Sequence, residues 1–204
     1  IIGNKMKQAV RNGTKLIVVD PRTTELAKMA DLHLPLRSGS DAALINGMMH
    51  IILREGWEDR EYIEARTEGF EEVEEVVKKY TPEVVSAITD ISEEDLYEAA
   101  KLYASHRKAG IFYTLGITEH TSGTSNVMNL ANLALLTGHV GIESAGINPL
   151  RGQNNVQGAC DMGALPDVYP GYQKVTDPAS IARFSEAWGV SVSERLGLRI
   201  PEML

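Results

Sequence analysis

The run Lys15-Leu16-Ile17-Val18-Val19-Asp20 limits the fold of this chain more than any other stretch. Leu16 to Val19 are all apolar and three of the four are β-branched, so the segment has no polar face to give to water. A strand of this kind is buried on both sides, as in a parallel sheet covered by helices. It ends at Asp20-Pro21-Arg22. Residues 23–30, TTELAKMA, follow with a threonine suited to a helix start, which predicts a helix. Residues 32–36, LHLPL, predict a second short strand, with Pro35 marking an edge or an ending. Strand, helix and strand in this space read as a βαβ unit with a right-handed crossover.

The same alternation runs on. A short helix over 4–12 precedes the first strand and stops at Gly13. The segment 38–57 carries a broad helical stripe of Leu44, Ile45, Met48, Met49, Ile51 and Ile52, with Ser40 or Asp41 as its cap. Acidic helices are predicted over about 58–66, about 70–80 and 92–107. In the last of these Ser92 is the cap and Leu96, Ala99, Ala100 and Tyr103 face inward. A buried strand is predicted over 109–116, a helix over 124–138 closed by Gly138, loops through Tyr172, and a last helix over 178–188. The fold class is α/β, a Rossmann-like parallel sheet flanked by helices.

Composition excludes several functions. No apolar run approaches the roughly 18 residues of a membrane span. The lone cysteine, Cys160, can neither close an internal disulfide nor build a cysteine metal or iron–sulfur site by itself, and it is expected to be buried and inert. A reducing, cytoplasmic setting is expected. The net charge of −8 is local: residues 55–98 hold 16 acidic and 4 basic side chains, a balance of −12, and the remainder balances at +4. The acidic block reads as solvated helix faces. There is no basic stripe interleaved with aromatics, so nucleic acid is not an expected partner. The first residues, IIGNKM, and the last, RIPEML, read as cut from a longer chain.

Parallel α/β sheets bind ligands beyond the carboxyl ends of their strands. Three predicted strand ends carry chemistry. Asp20 and Arg22 follow the first, Ser38-Gly39-Ser40-Asp41 the second, and Gly116 to His120 the third. A carboxylate there can accept from ribose hydroxyls or from the N1–H and amine of guanine, a guanidinium can pair with phosphate, and a helix amino terminus attracts anions. The plainer readings are a turn at Asp-Pro-Arg and a helix cap at Ser-Gly-Ser-Asp. No complete G-x-G-x-x-G or P-loop is present. The five histidines, at 33, 50, 106, 120 and 139, have no metal-ligand spacing, and a structural role is expected for each. The stretch 148–163, NPLRGQNNVQGACDMG, has neither helical nor strand periodicity. It holds a single cation, Arg151, among five primary amides and the glycines 152, 158 and 163. Amides donate and accept, so Gln153, Asn154, Asn155 and Gln157 suit the edge of a polar heterocycle, and Arg151 suits a carboxylate or oxyanion.

Three segments resemble the catalytic (alpha) subunit of formate dehydrogenases, within the molybdopterin oxidoreductases of the dimethyl sulfoxide reductase type. They are VVDPRTTELAKMADLHLPLRSGSDAALINGMMHIIL, LGITEHTSGTSNVMNLANLALLTGHVG and, most specifically, NPLRGQNNVQGACDMGALPDVYPGY. The resemblance covers essentially the whole chain. It implies a piece excised from a larger multidomain subunit: a molybdopterin guanine dinucleotide-binding α/β domain over 1–160, then the start of an adjoining domain over 161–204. It implies two such pterin cofactors around molybdenum or tungsten, a 4Fe–4S cluster in the full-length subunit, and oxidation of formate to carbon dioxide. By the resemblance Asp20, Arg22, Gly39, Asp41, Gly116 and Glu119 border one guanine dinucleotide, although many relatives carry Gln at the position of Glu119. Arg151 would orient formate beside the metal, with Gln153 near it and the pterin. The metal ligand and the cluster cysteines have no counterpart here. The partners implied are formate, an electron-accepting subunit or carrier, and the remaining domains of the same subunit. As an isolated piece the chain is expected to be inactive and to self-associate through apolar docking surface. The competing readings are a non-catalytic scaffold and a molybdopterin oxidoreductase with another substrate.

Overall fold

The computed structural model describes residues 1–204, the side chain of Ile200 aside. The chain forms two compact units, Ile1–Leu150 and Arg151–Leu204.

The first unit opens with α1 (Ile2–Arg11) and continues into β1 (Ile17–Val19) and β2 (Leu32–Leu34), which pair in parallel with Ile17 opposite Leu32 and Val19 opposite Leu34. The predicted helix over 23–30 does not form; the crossover holds only a single 3-10 turn, Ala27–Met29, on which Thr24 Oγ1 accepts from the Ala27 amide at 3.2 Å. The reason is length. Each strand is three residues, so the return path is only about 10 Å at roughly 3.3 Å per residue, and one tight turn spans it. Both strands are also shorter than the apolar runs that predict them.

Helix α2 (Asp41–Glu55) is the axis of the unit, with ten of its fifteen residues buried. It is apolar on nearly every side because helices surround it. These are α4 (Phe70–Val77), α5 (Pro82–Thr89), α6 (Glu93–Ala104) and α8 (Gly123–Leu136), with α3 (Arg60–Arg66) set against α8. Leu96, Ala99, Ala100 and Tyr103 of α6 are all buried as their spacing predicts, and Ser92 Oγ accepts from the Asp95 amide at 3.0 Å. The acidic side chains of α3 to α6 line the outer faces. Helix α5 has no counterpart in the sequence reading, which leaves the residues between about 80 and 92 unassigned; Pro82 stands in its first turn, where a missing N–H costs nothing.

β3 (Gly110–Tyr113) pairs in parallel with β4 (Gly146–Pro149), and the short helix α7 (Leu115–Thr118) joins β3 to α8. The parallel strands therefore form two separate two-stranded ladders, β1–β2 and β3–β4. Predicted strand 109–116 yields its last residues to α7. Gly138, at φ +67°, ends α8 as expected, and the His139 amide returns to Ala134 O at 2.8 Å.

Within the second unit, α9 (Val156–Asp161), a hairpin of β5 (Val168–Tyr169) and β6 (Gln173–Lys174), α10 (Pro178–Trp188) and α11 (Ile200–Met203) follow in order. Its core is small: Tyr169, Val175 and Phe184, with Ile181 and Val192 against them. The span 138–172, expected as loops, thus contains β4, α9 and β5. The fold is mixed α/β, with small parallel sheets flanked by helices. Among the described residues no helix is long and apolar enough to cross a membrane.

Candidate functional site

In the first unit the polar strand ends are built as follows. Asp20 leaves β1 with its amide on Leu34 O (3.3 Å) and its carbonyl accepting from His33 Nε2 (2.8 Å). Its Oδ1 accepts from the Arg22 amide at 2.8 Å, with Arg22 Nε at 3.4 Å, so Asp-Pro-Arg closes a turn around its own carboxylate. The second carboxylate oxygen has no partner among the described residues, and the Arg22 side chain is 82% exposed.

Beyond β2, Arg37 forks onto Asp90 at 2.6 and 3.0 Å while its amide donates to Thr89 O. This ties the segment before α2 to the end of α5. Gly39 sits at φ +84° with open space on its Cβ side. Ser40 occupies the cap position but does not cap: its hydroxyl donates to Arg37 O at 2.6 Å. The Gly39 turn aims that hydroxyl backwards, so no side chain accepts from the first-turn amides of α2. Those donors face an incoming acceptor unopposed.

Asp41 is the first residue of α2 and only 8% exposed. Its polar neighbour is His120, with Nε2 3.8 Å from Oδ2. The same Nε2 lies 2.8 Å from Gly116 O. A carbonyl only accepts, so Nε2 carries the proton and spends it on Gly116, and the Asp41 carboxylate is left buried without a hydrogen bond. The carboxylate keeps a narrow opening to solvent, its side chain 11% exposed, and stands open to a donor that a ligand brings. The β2 and β3 ends are thus brought together at Asp41, Gly116 and His120. Glu119 caps α7 and is exposed.

Sequence reasoning missed the support beneath this cluster. Asn126, 1% exposed, donates from Nδ2 to Ile117 O at 3.0 Å, and its Oδ1 has no partner among the described residues. A Cβ at Gly123 would collide with Thr118 O, so only glycine lets α8 start this close to α7. The available signal was weak, because α8 carries three asparagines, 126, 129 and 132, and only the fold shows that Asn126 is the buried one. His139 is structural, as expected. It is 2% exposed, with Nε2 2.8 Å from His106 O and Nδ1 2.9 Å from Thr137 Oγ1, and burial pushes its pKa down.

β4 ends at Pro149, and Leu150 extends the ladder by donating to Tyr113 O at 2.7 Å. Arg151 is the next residue. Arg151 therefore follows a fourth parallel strand end, one that the sequence does not predict. Among the described residues Arg151, Gln153 and Asn154 make no side-chain hydrogen bond or ion pair, and all three are exposed. Not every amide of the stretch is available: Asn148 is spent on Ile111 O and Gly146 O, and Gln157 on Asp161 and Tyr172. Cys160 is half-buried rather than buried. Among the described residues no group of three or more His, Cys, Asp or Glu is placed to hold a metal ion.

The model of the molybdopterin oxidoreductase family matches residues 1–197. Formate dehydrogenase H of Escherichia coli is 50% identical over all 204 residues, and a formate dehydrogenase alpha subunit of Methanococcus maripaludis is 48% identical over the same span. The chain covers 28% and 30% of those two proteins. Among solved structures, acetylene hydratase from Pelobacter acetylenicus superposes at a TM-score of 0.67 with 35% identity, over 69% of this chain and 19% of that one.

Proposed function

The chain belongs to the molybdopterin oxidoreductase family, and from that premise we propose that it is part of the catalytic subunit of a formate dehydrogenase. The first unit holds a pterin guanine dinucleotide. Asp41 fits this role: a buried carboxylate without a donor suits the paired N–H groups of a guanine. The unopposed amides of α2, with Gly39 giving backbone access, donate to the ligand's oxygens, and Asp20 and Arg22 serve its ribose and phosphate. Gly116 and Glu119 border the same ligand. When bound, the molybdenum or tungsten pterin centre supplies the acceptor for two electrons. A 4Fe–4S cluster in the full-length subunit, whose ligands lie outside this chain, would supply one-electron chemistry between that centre and an acceptor subunit or carrier.

The observation that carries the reading is the free guanidinium of Arg151 in a loop otherwise built of amides and glycines. Formate offers no apolar surface, only a carboxylate. A guanidinium fork holds it by two parallel N–H bonds, fixes its C–H direction, and offsets its charge as carbon dioxide, a proton and two electrons are produced. Gln153 adds a neutral donor beside it.

Replacing Arg151 by Lys in the full-length enzyme keeps the charge and removes the fork. The expected result is a fall in kcat/KM for formate of about 100-fold or more with metal content unchanged. Wild-type kinetics would remove Arg151 from the site. The likeness to acetylene hydratase favours a second reading, a family member acting on another substrate. Formate-dependent dye reduction by the metal-loaded full-length protein separates the two, since a loaded protein without it leaves the family and discards formate.

A further inference from the structure

The loop that carries Arg151 is held at its far end by a device that the proposed function does not use. Asn155, at φ +55°, starts α9, and its side chain folds back on Gly158 so closely that a Cβ there would strike it. At the other end of α9, Asp161 meets the turn at 170–173. Its carbonyl accepts from the Gly171 amide at 2.7 Å, and its Oδ1 accepts from the Tyr172 phenol at 3.0 Å. Gln157 Nε2, one helical turn earlier, donates to the same Oδ1 (3.1 Å) and to the phenol oxygen (3.2 Å). Gly163 closes the back of the turn: at φ +83° its missing Cβ would lie 2.8 Å from Pro170 N. The turn is anchored in its own right, because Gln173 donates to Pro170 O at 3.2 Å and accepts from Arg183 of α10 at 2.6 Å. Tyr172 itself stands at φ +59°, a left-handed conformation that is strained for a non-glycine residue and persists where surrounding bonds enforce it.

We propose that Tyr172, with Asp161 and Gln157, is a positioning clamp that fixes α9 and through it the Arg151–Asn155 loop, so that Arg151 is held where formate binds. The proposal rests on the reading of Arg151 given above. None of the three residues touches substrate. The short helix acts as a lever: α9 begins at Val156, and Asn155 joins lever to loop. A displacement of about 1 Å at a binding group is enough to cost up to about 100-fold.

The test uses the full-length enzyme carrying its own cofactor, with the variants Y172F, D161A, D161N and R151K and the double variant Y172F/R151K. KM and kcat for formate, metal content and thermal midpoint are measured on each. Y172F and D161A are expected to raise KM about 10-fold, with kcat falling less than about 3-fold and metal content unchanged. D161N keeps an oxygen for the phenol and is expected to stay within about 2-fold of wild type. In the R151K background Y172F should add almost nothing, since both act through one group. Wild-type KM in Y172F and D161A, equal defects in D161A and D161N, loss of metal in step with activity, or additivity with R151K would each overturn the clamp. If Y172F does not fold, the D161A and D161N pair decides alone. Damage by R151K with none by Y172F sinks the clamp and leaves the function standing, whereas a harmless R151K sinks the role of Arg151 itself.

Discussion

Tyr103 brings a phenol into the middle of α6's inner face, where it is 9% exposed, packs edge-on against His139 with ring centroids 4.9 Å apart, and sets its hydroxyl near Thr137, whose own hydroxyl is engaged with Leu133 O and His139, so that no well-formed hydrogen bond satisfies the phenol. Burial pushes its pKa up to about 12. The unfolded chain ionises near 10, so between about 10 and 12 the unfolded state sheds a proton that the folded state keeps. Stability linked to this group is whole below about pH 10 and is lost as pH rises toward about 12. Tyr103→Phe removes an unsatisfied hydroxyl at constant ring packing. The expected result is a stability at neutral pH unchanged or raised, by up to about 1 kcal/mol, and a shallower loss above about pH 10 than in the wild type. A destabilised Phe variant with an identical alkaline arm would refute this. At this scale the sequence was informative about direction and silent about partners. Helical spacing put Tyr103 inward. Nothing in it says that Ser40 would turn its hydroxyl to Arg37 O, or that His120 would spend its proton on Gly116 and leave Asp41 bare. Those outcomes depend on residues brought together by the fold.

Among elements, α2 and α5 are matched through one missing methyl group. Gly47 lies inside α2, where alanine would ordinarily be favoured by about 1 kcal/mol. Here a Cβ would stand 2.7 Å from Val85 Cγ2 and 3.0 Å from Cγ1, and Val85 is completely buried. Gly47→Ala is therefore expected to destabilise by about 1–3 kcal/mol, overpacking exceeding the propensity gain. Val85→Ala alone opens a cavity and also destabilises. Together each change relieves the other, so the double variant should lie above the sum of the singles by about 1 kcal/mol or more in urea unfolding. Simple additivity would mean that the helices are not in register at this contact. The sequence shows α2 plainly because ten buried residues make a long stripe, and it hides α5 because PEVVSAIT has a proline first and β-branched residues after it. β4 is hidden for the opposite reason. Gly-Ile-Asn-Pro has little strand propensity, and its pairing with β3 supplies what composition lacks.

At the scale of the whole chain, the two units differ in how much apolar surface they remove from water. The first buries a continuous cluster from Leu34 to Leu136, with Ile51, Ile52, Val85, Leu96, Ala99 and Ala100 at zero exposure. The second has three residues in its buried cluster, none below 8% exposed, and it leaves Trp188, Leu196 and Leu198 more than half exposed. Small domains bury too little to be stable alone, and the backbone entropy of ordering them is not reduced in proportion. The chain's two tryptophans divide conveniently. Trp57 packs edge-on to Tyr97 in the first unit, and Trp188 packs edge-on to Tyr169 and tilted against Phe184 in the second. With Trp57 replaced by Phe, fluorescence reports the second unit; with Trp188 replaced by Phe, it reports the first. The expected result in urea is two separate midpoints, with the Trp188 signal lost first. Amide exchange should agree, α2, α6 and α8 being protected by about 3 kcal/mol or more beyond α10. Coincident midpoints with equal protection would show one cooperative body instead. The order matters for the proposed function, because the Arg151 loop and its Tyr172 clamp both belong to the unit expected to open first. Formate binding, acting on Arg151, should then slow amide exchange in α10 of the full-length enzyme more than in α2, by the usual linkage of ligand to the folded state.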